Sequence, residues 1–158
     1  MLTLCGEAGM DDSEYMKIAL ARANESGAKG EVPVGAVLID EKGKVIASAG
    51  NAIICSNDPV GHAEILTLRK AAEKIENYRL PGTTMYVTLE PCAMCAAAMV
   101  HARINRLVFG ATDPKTGAVF SKYGIGRDGL LNHTFAVTGG VLEGECGQLL
   151  KEFFQKRR

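Results

Sequence analysis

Apolar and polar positions along this chain fall into blocks with two distinct periods. From Met10 to Ser26, Ile18, Ala19 and Ala21 alternate with Arg22 and Glu25 near the helical period, which predicts an amphipathic helix ended by Gly27 and Gly30. Val32 to Ile39 is a short β-rich run with Pro33 near its start. Lys42-Gly43 then makes a turn, and Lys44 to Ala49 returns as the hairpin partner. Asn51 to Val60 reads as a loop carrying Asn57-Asp58-Pro59. A second helix is expected from Gly61 or His62 to about Ile75, supported by Leu66, Leu68 and Ala72. Thr83 to Leu89 is β-branched and apolar, as a buried strand requires. A helix led by Cys92 follows, then a strand from Arg106 to Gly110. Ala111 to Leu131 is a long glycine-containing loop with at most a short helix. Phe135 to Val141 forms a further strand or extended piece, and Glu143 to Gln155 the last helix. The order α-β-β-α-β-α-β-(β)-α predicts an α/β fold: three layers, α/β/α, around a central mixed five-stranded sheet.

Composition narrows the class. At 158 residues the chain is one domain with room for a sizeable core. Its 47% hydrophobic and 23% charged content is that of a soluble globular protein, and no apolar run approaches membrane-spanning length. Met1 to Met10 shows no basic segment leading into an apolar core, so no secretory signal is read there. Five cysteines, two of them in one C-x-x-C, fit a reducing cytosol better than a disulfide scaffold, and a cytoplasmic location is expected. Cys5, Cys55 and Cys146 are read as ordinary packed or free thiols. Eighteen basic and eighteen acidic residues cancel, so there is no global basic excess of the kind nucleic-acid binders often carry. Local candidates for a phosphate-contacting patch are Lys156-Arg157-Arg158 and the group Lys115, Lys122 and Arg127.

The chemistry resides in His62-Ala63-Glu64 and Pro91-Cys92-Ala93-Met94-Cys95. Zinc takes tetrahedral sulfur and imidazole ligands, and its catalytic sites use three protein ligands with a fourth place for water. His62, Cys92 and Cys95 supply that set. Pro91 suits a helix start, and the helix N-terminus favours thiolates. Glu64, on a different bearing from His62, can stay off the metal yet reach its water and act as general base and acid. Backbone N–H groups around Ala63 and Cys92 are placed to steady an attacked ring. A redox pair or half a structural zinc site is the competing reading of a C-x-x-C. Against it, Cys5, Cys55 and Cys146 are isolated and form no second pair. H-x-E followed by P-C-x-x-C is the known signature of zinc-dependent nucleobase deaminases.

From about Tyr15 to Arg158 the chain resembles the cytidine deaminase superfamily, and within it the bacterial tRNA-specific adenosine deaminases. Glu31-Val32-Pro33-Val34-Gly35-Ala36-Val37, Asn57-Asp58-Pro59, His62-Ala63-Glu64 and Asn77-Tyr78-Arg79-Leu80 carry the first half of the resemblance. Tyr86 through Cys92, Val108-Phe109-Gly110-Ala111, Asp113, Lys115-Thr116-Gly117-Ala118, Leu131-Asn132-His133, Gly140-Val141-Leu142 and Phe153-Phe154 carry the second. The resemblance implies one zinc-dependent deaminase domain over residues 1–158, one zinc per subunit and a homodimer. It further implies hydrolysis of the wobble adenosine of a tRNA anticodon loop to inosine, with the base flipped into a pocket. By position, Asn51 would hydrogen-bond the base, its amide both donating and accepting; an Asx turn after the strand is the competing reading. Asp113, Lys115 and Asn132 match positions in loops that touch RNA, and read equally as turn-formers and a surface charge. His101 is expected to be packed or dimer-facing, and His133 structural.

Two departures bear on substrate. Phe120-Ser121 stands where many family members carry Gly-Ser, and Gly61 stands where Ala is common. With the zero net charge, they keep a second reading open: a deaminase of a free base or nucleoside, such as guanine or cytosine. A third, a silent RNA-binding partner subunit, sits poorly with an intact Glu64.

Overall fold

Helix α1 (Asp12–Ala28) opens on a capping box that the Asp11-x-x-Glu14 spacing encodes. Asp11 accepts from the Glu14 N–H at 2.9 Å, and Glu14 accepts from the Asp11 N–H at 3.2 Å. The computed structural model describes residues 10–157. Cys5, Arg158 and the stretch read for a targeting signal up to Gly9 lie outside the described residues. The helix runs through Gly27, two residues beyond the expected Ser26, and the chain turns instead at Gly30 with φ +87°.

Strand β1 (Gly35–Ile39) starts later than the β-rich run predicted, because Pro33 lacks the N–H a ladder needs. It pairs antiparallel with β2 (Val45–Gly50) in register Gly35↔Gly50. Both glycines lie under α1. A Cβ on Gly35 would stand 1.9 Å from the Ala19 carbonyl oxygen, and one on Gly50 2.0 Å from Ser26 Oγ. Helix and hairpin touch through backbone, an approach no larger residue permits.

Helix α2 (Ala63–Ile75), strand β3 (Thr84–Leu89), helix α3 (Ala93–Ala102), strand β4 (Arg106–Ala111), strand β5 (Ala136–Thr138) and helix α4 (Glu143–Gln155) complete the order. The sheet runs β2-β1-β3-β4-β5, antiparallel up to β3 and parallel from β3 to β5, so the predicted mixed five-stranded sheet is observed. β5 is shorter than Phe135 to Val141: Gly139 and Gly140, the latter at φ +87°, turn the chain off the edge towards α4.

Alternate side chains enter opposite cores, as the two-residue strand period dictates. Ala36, Leu38, Met85, Val87, Leu107 and Phe109 pack with α2 and α3. Val37, Ile39, Tyr86 and Val108 pack with Tyr15, Met16 and Ala19 of α1 and Cys146 of α4. The register then does something the order alone does not reveal. The start of β1 lies beside the ends of β2 and β3 (Gly35↔Gly50, Ala36↔Val87), and the ends of β3 and β4 are level (Leu89↔Ala111). Val32–Val34, Asn51, Glu90–Cys92 and Asp113 therefore gather at one edge of the sheet, where ligand sites in such sheets form.

Candidate metal centre and base cleft

His62 and Cys92 are the N-caps of α2 and α3, each with extended backbone (φ −70°, ψ 149° and φ −74°, ψ 175°). Neither side chain caps its own helix, so imidazole and thiol turn to one another. His62 Nδ1 lies 3.7 Å from Cys92 Sγ and 3.4 Å from Cys95 Sγ, the latter buried in the first turn of α3. The three donor atoms fall within 4.8 Å of one another. A tetrahedral ion with Zn–S near 2.3 Å and Zn–N near 2.05 Å has S···N edges of roughly 3.6 Å. The donor set fits zinc, with a fourth position left for a non-protein ligand.

Electrostatics supports the fit. Cys92 is held down at about 4, first because the Cys95 thiol donates to it, with burial opposing and His62 assisting. That contact and burial together push Cys95 up. His62 is raised by its bond with Cys92 against its own desolvation. A divalent cation resolves this conflict, since coordinated thiols ionise outright.

Glu64 sits in the first turn of α2 and is only 4% exposed. Burial pushes its carboxyl above the usual range, against the pull of its own backbone N–H. It shares with His62, Cys92 and Asn51 a cavity of about 210 Å³ whose apolar walls are Val32, Val34, Ile53 and Leu89. Val32, Leu89, Asp113 and Thr116 also line a neighbouring trough of about 590 Å³, which adds Lys115, Leu150 and Phe154.

The structure sorts the remaining sequence candidates. Asn51 Oδ1 accepts from the Ala63 N–H at 2.8 Å, its carbonyl accepts from Ser26 Oγ at 2.9 Å, and its N–H donates to the Val34 carbonyl at 3.0 Å. Asn51 and Ala63 are thus one unit, which leaves the Asn51 Nδ2 donor for the cleft. Asp113 lines the cleft and also builds a turn: Oδ1 accepts from the N–H groups of Lys115 and Thr116, and Oδ2 from Thr116 Oγ1 at 2.6 Å. Lys115 is exposed on the trough. Asn132 is not brought to the cleft. It accepts from Arg103 Nη1 at 3.2 Å, and Arg103 caps the far end of α3, about 16 Å along the axis from Cys92 at ~1.5 Å per residue. His101 is exposed on a groove between α2 and α3. His133 Nε2 lies 2.7 Å from the Ile104 carbonyl, a loop-closing contact.

Two functional carboxylates went unassigned in the sequence. Glu31, 2% exposed, accepts from the N–H groups of Ile53, Ile54 and Cys55 at 3.1, 2.9 and 2.8 Å. Burial opposes its ionisation, but those donors win and hold it below the usual carboxylate range. Glu90, also 2% exposed, gathers the loop on the other side of the cleft. Its burial is likewise outweighed, chiefly by Ser121. The available signal was an acidic residue flanking proline in an apolar stretch: Glu31-Val32-Pro33 and Glu90-Pro91.

Among the described residues no helix is long and apolar enough to cross a membrane. Residues 10–111 match the cytidine and deoxycytidylate deaminase zinc-binding region. The chain is 53% identical over 147 residues to a tRNA-specific adenosine deaminase of Haemophilus influenzae, covering 93% of this chain and 85% of that protein. A structure from a study of A-to-I editing by tRNA deaminases at the wobble position superposes with a TM-score of 0.84 at 46% identity, covering 87% of this chain and 99% of that one. A guanine deaminase from Nitrosomonas europaea superposes with a TM-score of 0.80, covering 93% of this chain and 86% of that one, but at 23% identity it shares the fold alone. On these similarities the chain belongs to the zinc-binding cytidine and deoxycytidylate deaminase family and, within it, to the tRNA-specific adenosine deaminases.

Proposed function

We propose that this chain hydrolyses an adenosine of tRNA to inosine, and that the target is the wobble position of an anticodon loop. The observation that carries this reading is the 53% identity, across 93% of the chain, with a tRNA-specific adenosine deaminase. In this reading His62 Nδ1 and the sulfurs of Cys92 and Cys95 hold one zinc ion per subunit. When bound there, zinc supplies a water activated near neutral pH.

Glu64 would take one proton from the attacking water and deliver it to the ring nitrogen beside the reacting carbon, then carry the second proton, from the hydroxyl left on that carbon, to the departing amine. Oxygen from water bonds to purine C6 as the C6–N bond breaks, and ammonia leaves. Burial suits Glu64 to this work, because a carboxyl that readily holds a proton also gives it back. Asn51 Nδ2 donates to an acceptor on the ring, with Oδ1 fixed by Ala63. The apolar walls exclude bulk water, and the base must leave its stack to enter. The trough beyond receives the flanking strand, with Asp113 shaping its rim and Lys115 facing phosphate. The groove of about 410 Å³ between α2 and α3, lined by Ile65, Leu68, Ala98 and His101, supports a homodimer. We place the enzyme in the cytoplasm, where reduced thiols and substrate RNA coexist.

The test is ammonia release by zinc-loaded protein offered an anticodon stem-loop with adenosine at the wobble position beside free guanine, cytosine and adenosine. Turnover of the stem-loop alone is expected. Turnover of a free base alone overturns the RNA substrate and makes this a free-base deaminase.

A further inference from the structure

Five hydrogen bonds converge on a carboxylate that the chemistry above does not use. Glu90 Oε1 accepts from the Asp113 N–H at 3.1 Å and from Ser121 Oγ at 2.5 Å. Oε2 accepts from the N–H groups of Val119, Phe120 and Ser121 at 3.2, 3.0 and 3.0 Å. The donors are Asp113 and Val119 to Ser121, all in the first part of the loop that follows β4, and Asp113 lines one side of the cleft with Thr116, which lies between them. The packing leaves no slack: a Cβ on Gly117 would stand 2.4 Å from the Glu90 carboxyl carbon and 2.5 Å from the Asp113 carbonyl oxygen.

We infer that Glu90 is a positioning residue for substrate: it fixes the loop from Asp113 to Ser121 as a wall of the cleft and so sets affinity for the bound strand. This rests on the reading of the cleft as a nucleobase site. Only an ionised carboxylate can serve. It has about four lone-pair sites and no proton, whereas the amide of glutamine would set an N–H against donors. The role is local. Phe120 and Ser121 are exposed, so their freed N–H groups find water if the carboxylate is replaced, whereas the N–H of fully buried Val119 keeps no such alternative. Glu90 also immediately precedes Pro91 and the ligand Cys92, so the wall is pinned to the same chain segment that begins α3.

The experiment compares zinc-loaded wild type, Glu90→Gln and Ser121→Ala in two measurements. Steady-state ammonia release on the stem-loop gives KM and kcat. Amide hydrogen exchange, without substrate, follows residues 112–121 against β3 and β4. For Glu90→Gln, zinc per chain is expected to be unchanged, KM to rise about tenfold with kcat within about threefold, and exchange to quicken at 113 and 119–121 only. A merely structural role would instead lower zinc content and kcat with KM unmoved and exchange raised throughout, and that result overturns the inference. Should Glu90→Gln not fold, Ser121→Ala removes one donor from the same carboxylate. Its KM is expected to rise about threefold, and an unchanged KM with unchanged exchange overturns the inference. If the wild type turns over a free base and no stem-loop, the substrate reading falls separately. The KM comparison is then made on that base, while the exchange arm is unaffected.

Discussion

In the proposed reaction Asn51 has two tasks that substitution can separate. Its Oδ1 satisfies the Ala63 N–H at the start of α2, and its Nδ2 is left for the substrate. In Asn51→Ala a buried donor loses its partner, which costs about 1–3 kcal/mol. For a domain of this size that lowers Tm by roughly 2–4 °C per kcal/mol. The lost bond to the base, at about 0.5–1.5 kcal/mol, raises KM by roughly 2- to 12-fold. Asn51→Asp keeps the acceptor for Ala63 and places a negative charge at a helix N-terminus, so its Tm is expected within about 2 °C of wild type. Its KM is expected to rise further than that of the alanine variant, because a carboxylate then faces a ring acceptor. The assay pairs thermal unfolding of zinc-loaded protein with ammonia release on the stem-loop. If Asn51→Asp turns over substrate as wild type does, the Nδ2 contact does not exist. If it loses Tm as alanine does, the Ala63 contact is not what holds the residue.

Glu64→Gln should keep zinc and Tm but lose about 10²–10⁴-fold in kcat; turnover near wild type would falsify its role as proton carrier. Cys92→Ala should lose zinc, read by metal analysis, together with Tm, because site and fold are coupled; full occupancy would remove Cys92 from the ligand set. Asp12 is bonded by Arg106 at 2.9 and 2.7 Å and by the Tyr86 hydroxyl at 2.8 Å, and its carboxyl lies below the usual range, first through Arg106. A depressed carboxyl stabilises above its unfolded pKa of about 3.9 and ceases to as pH falls through the folded value. Asp12→Asn should therefore cost about 1 kcal/mol at pH 7 for this pair, whose side chains are 31% and 33% exposed. That deficit should vanish in denaturant titrations at a pH below the folded value; a deficit unchanged there would refute the linkage.

What the sequence made legible was local. The α4 boundaries Glu143 and Gln155 are those expected, because amphipathic period and charge are encoded within the segment. The candidate residues His62, Glu64, Cys92 and Cys95 stood out because each pair lies close in sequence, two and three residues apart, at the start of a helix. Boundaries drifted where a distant partner decides. β1 starts only after Pro33, with pairing to β2 from Gly35 and to β3 from Ala36, and β5 stops at Thr138 because β4 pairs with just three of its residues. Asn132 sits in a loop adjacent in sequence to β5, and its partner Arg103 holds it at the end of α3 away from the metal centre, a placement that only the fold reveals.

Glu31 and Glu90 were illegible for a deeper reason. A lone acidic residue beside proline is by itself a surface residue in most chains, and its value here comes from N–H groups 22 to 31 positions away. Each anchors one loop across the same cleft: residues 53–55 on one side, 113 and 119–121 on the other. The neutral total charge misleads in the same way. Three of the eighteen acidic groups, Glu31, Glu64 and Glu90, are buried, and Glu31 and Glu90 are held by backbone N–H groups, so they are set back from the surface that an approaching phosphate meets. Sequence charge sums positions, whereas a polyanion meets only the surface beside the cleft, where Lys115 stands exposed. An RNA substrate is therefore compatible with a chain whose charges cancel, because a polyanion meets the local surface at the cleft and not the sum over the chain.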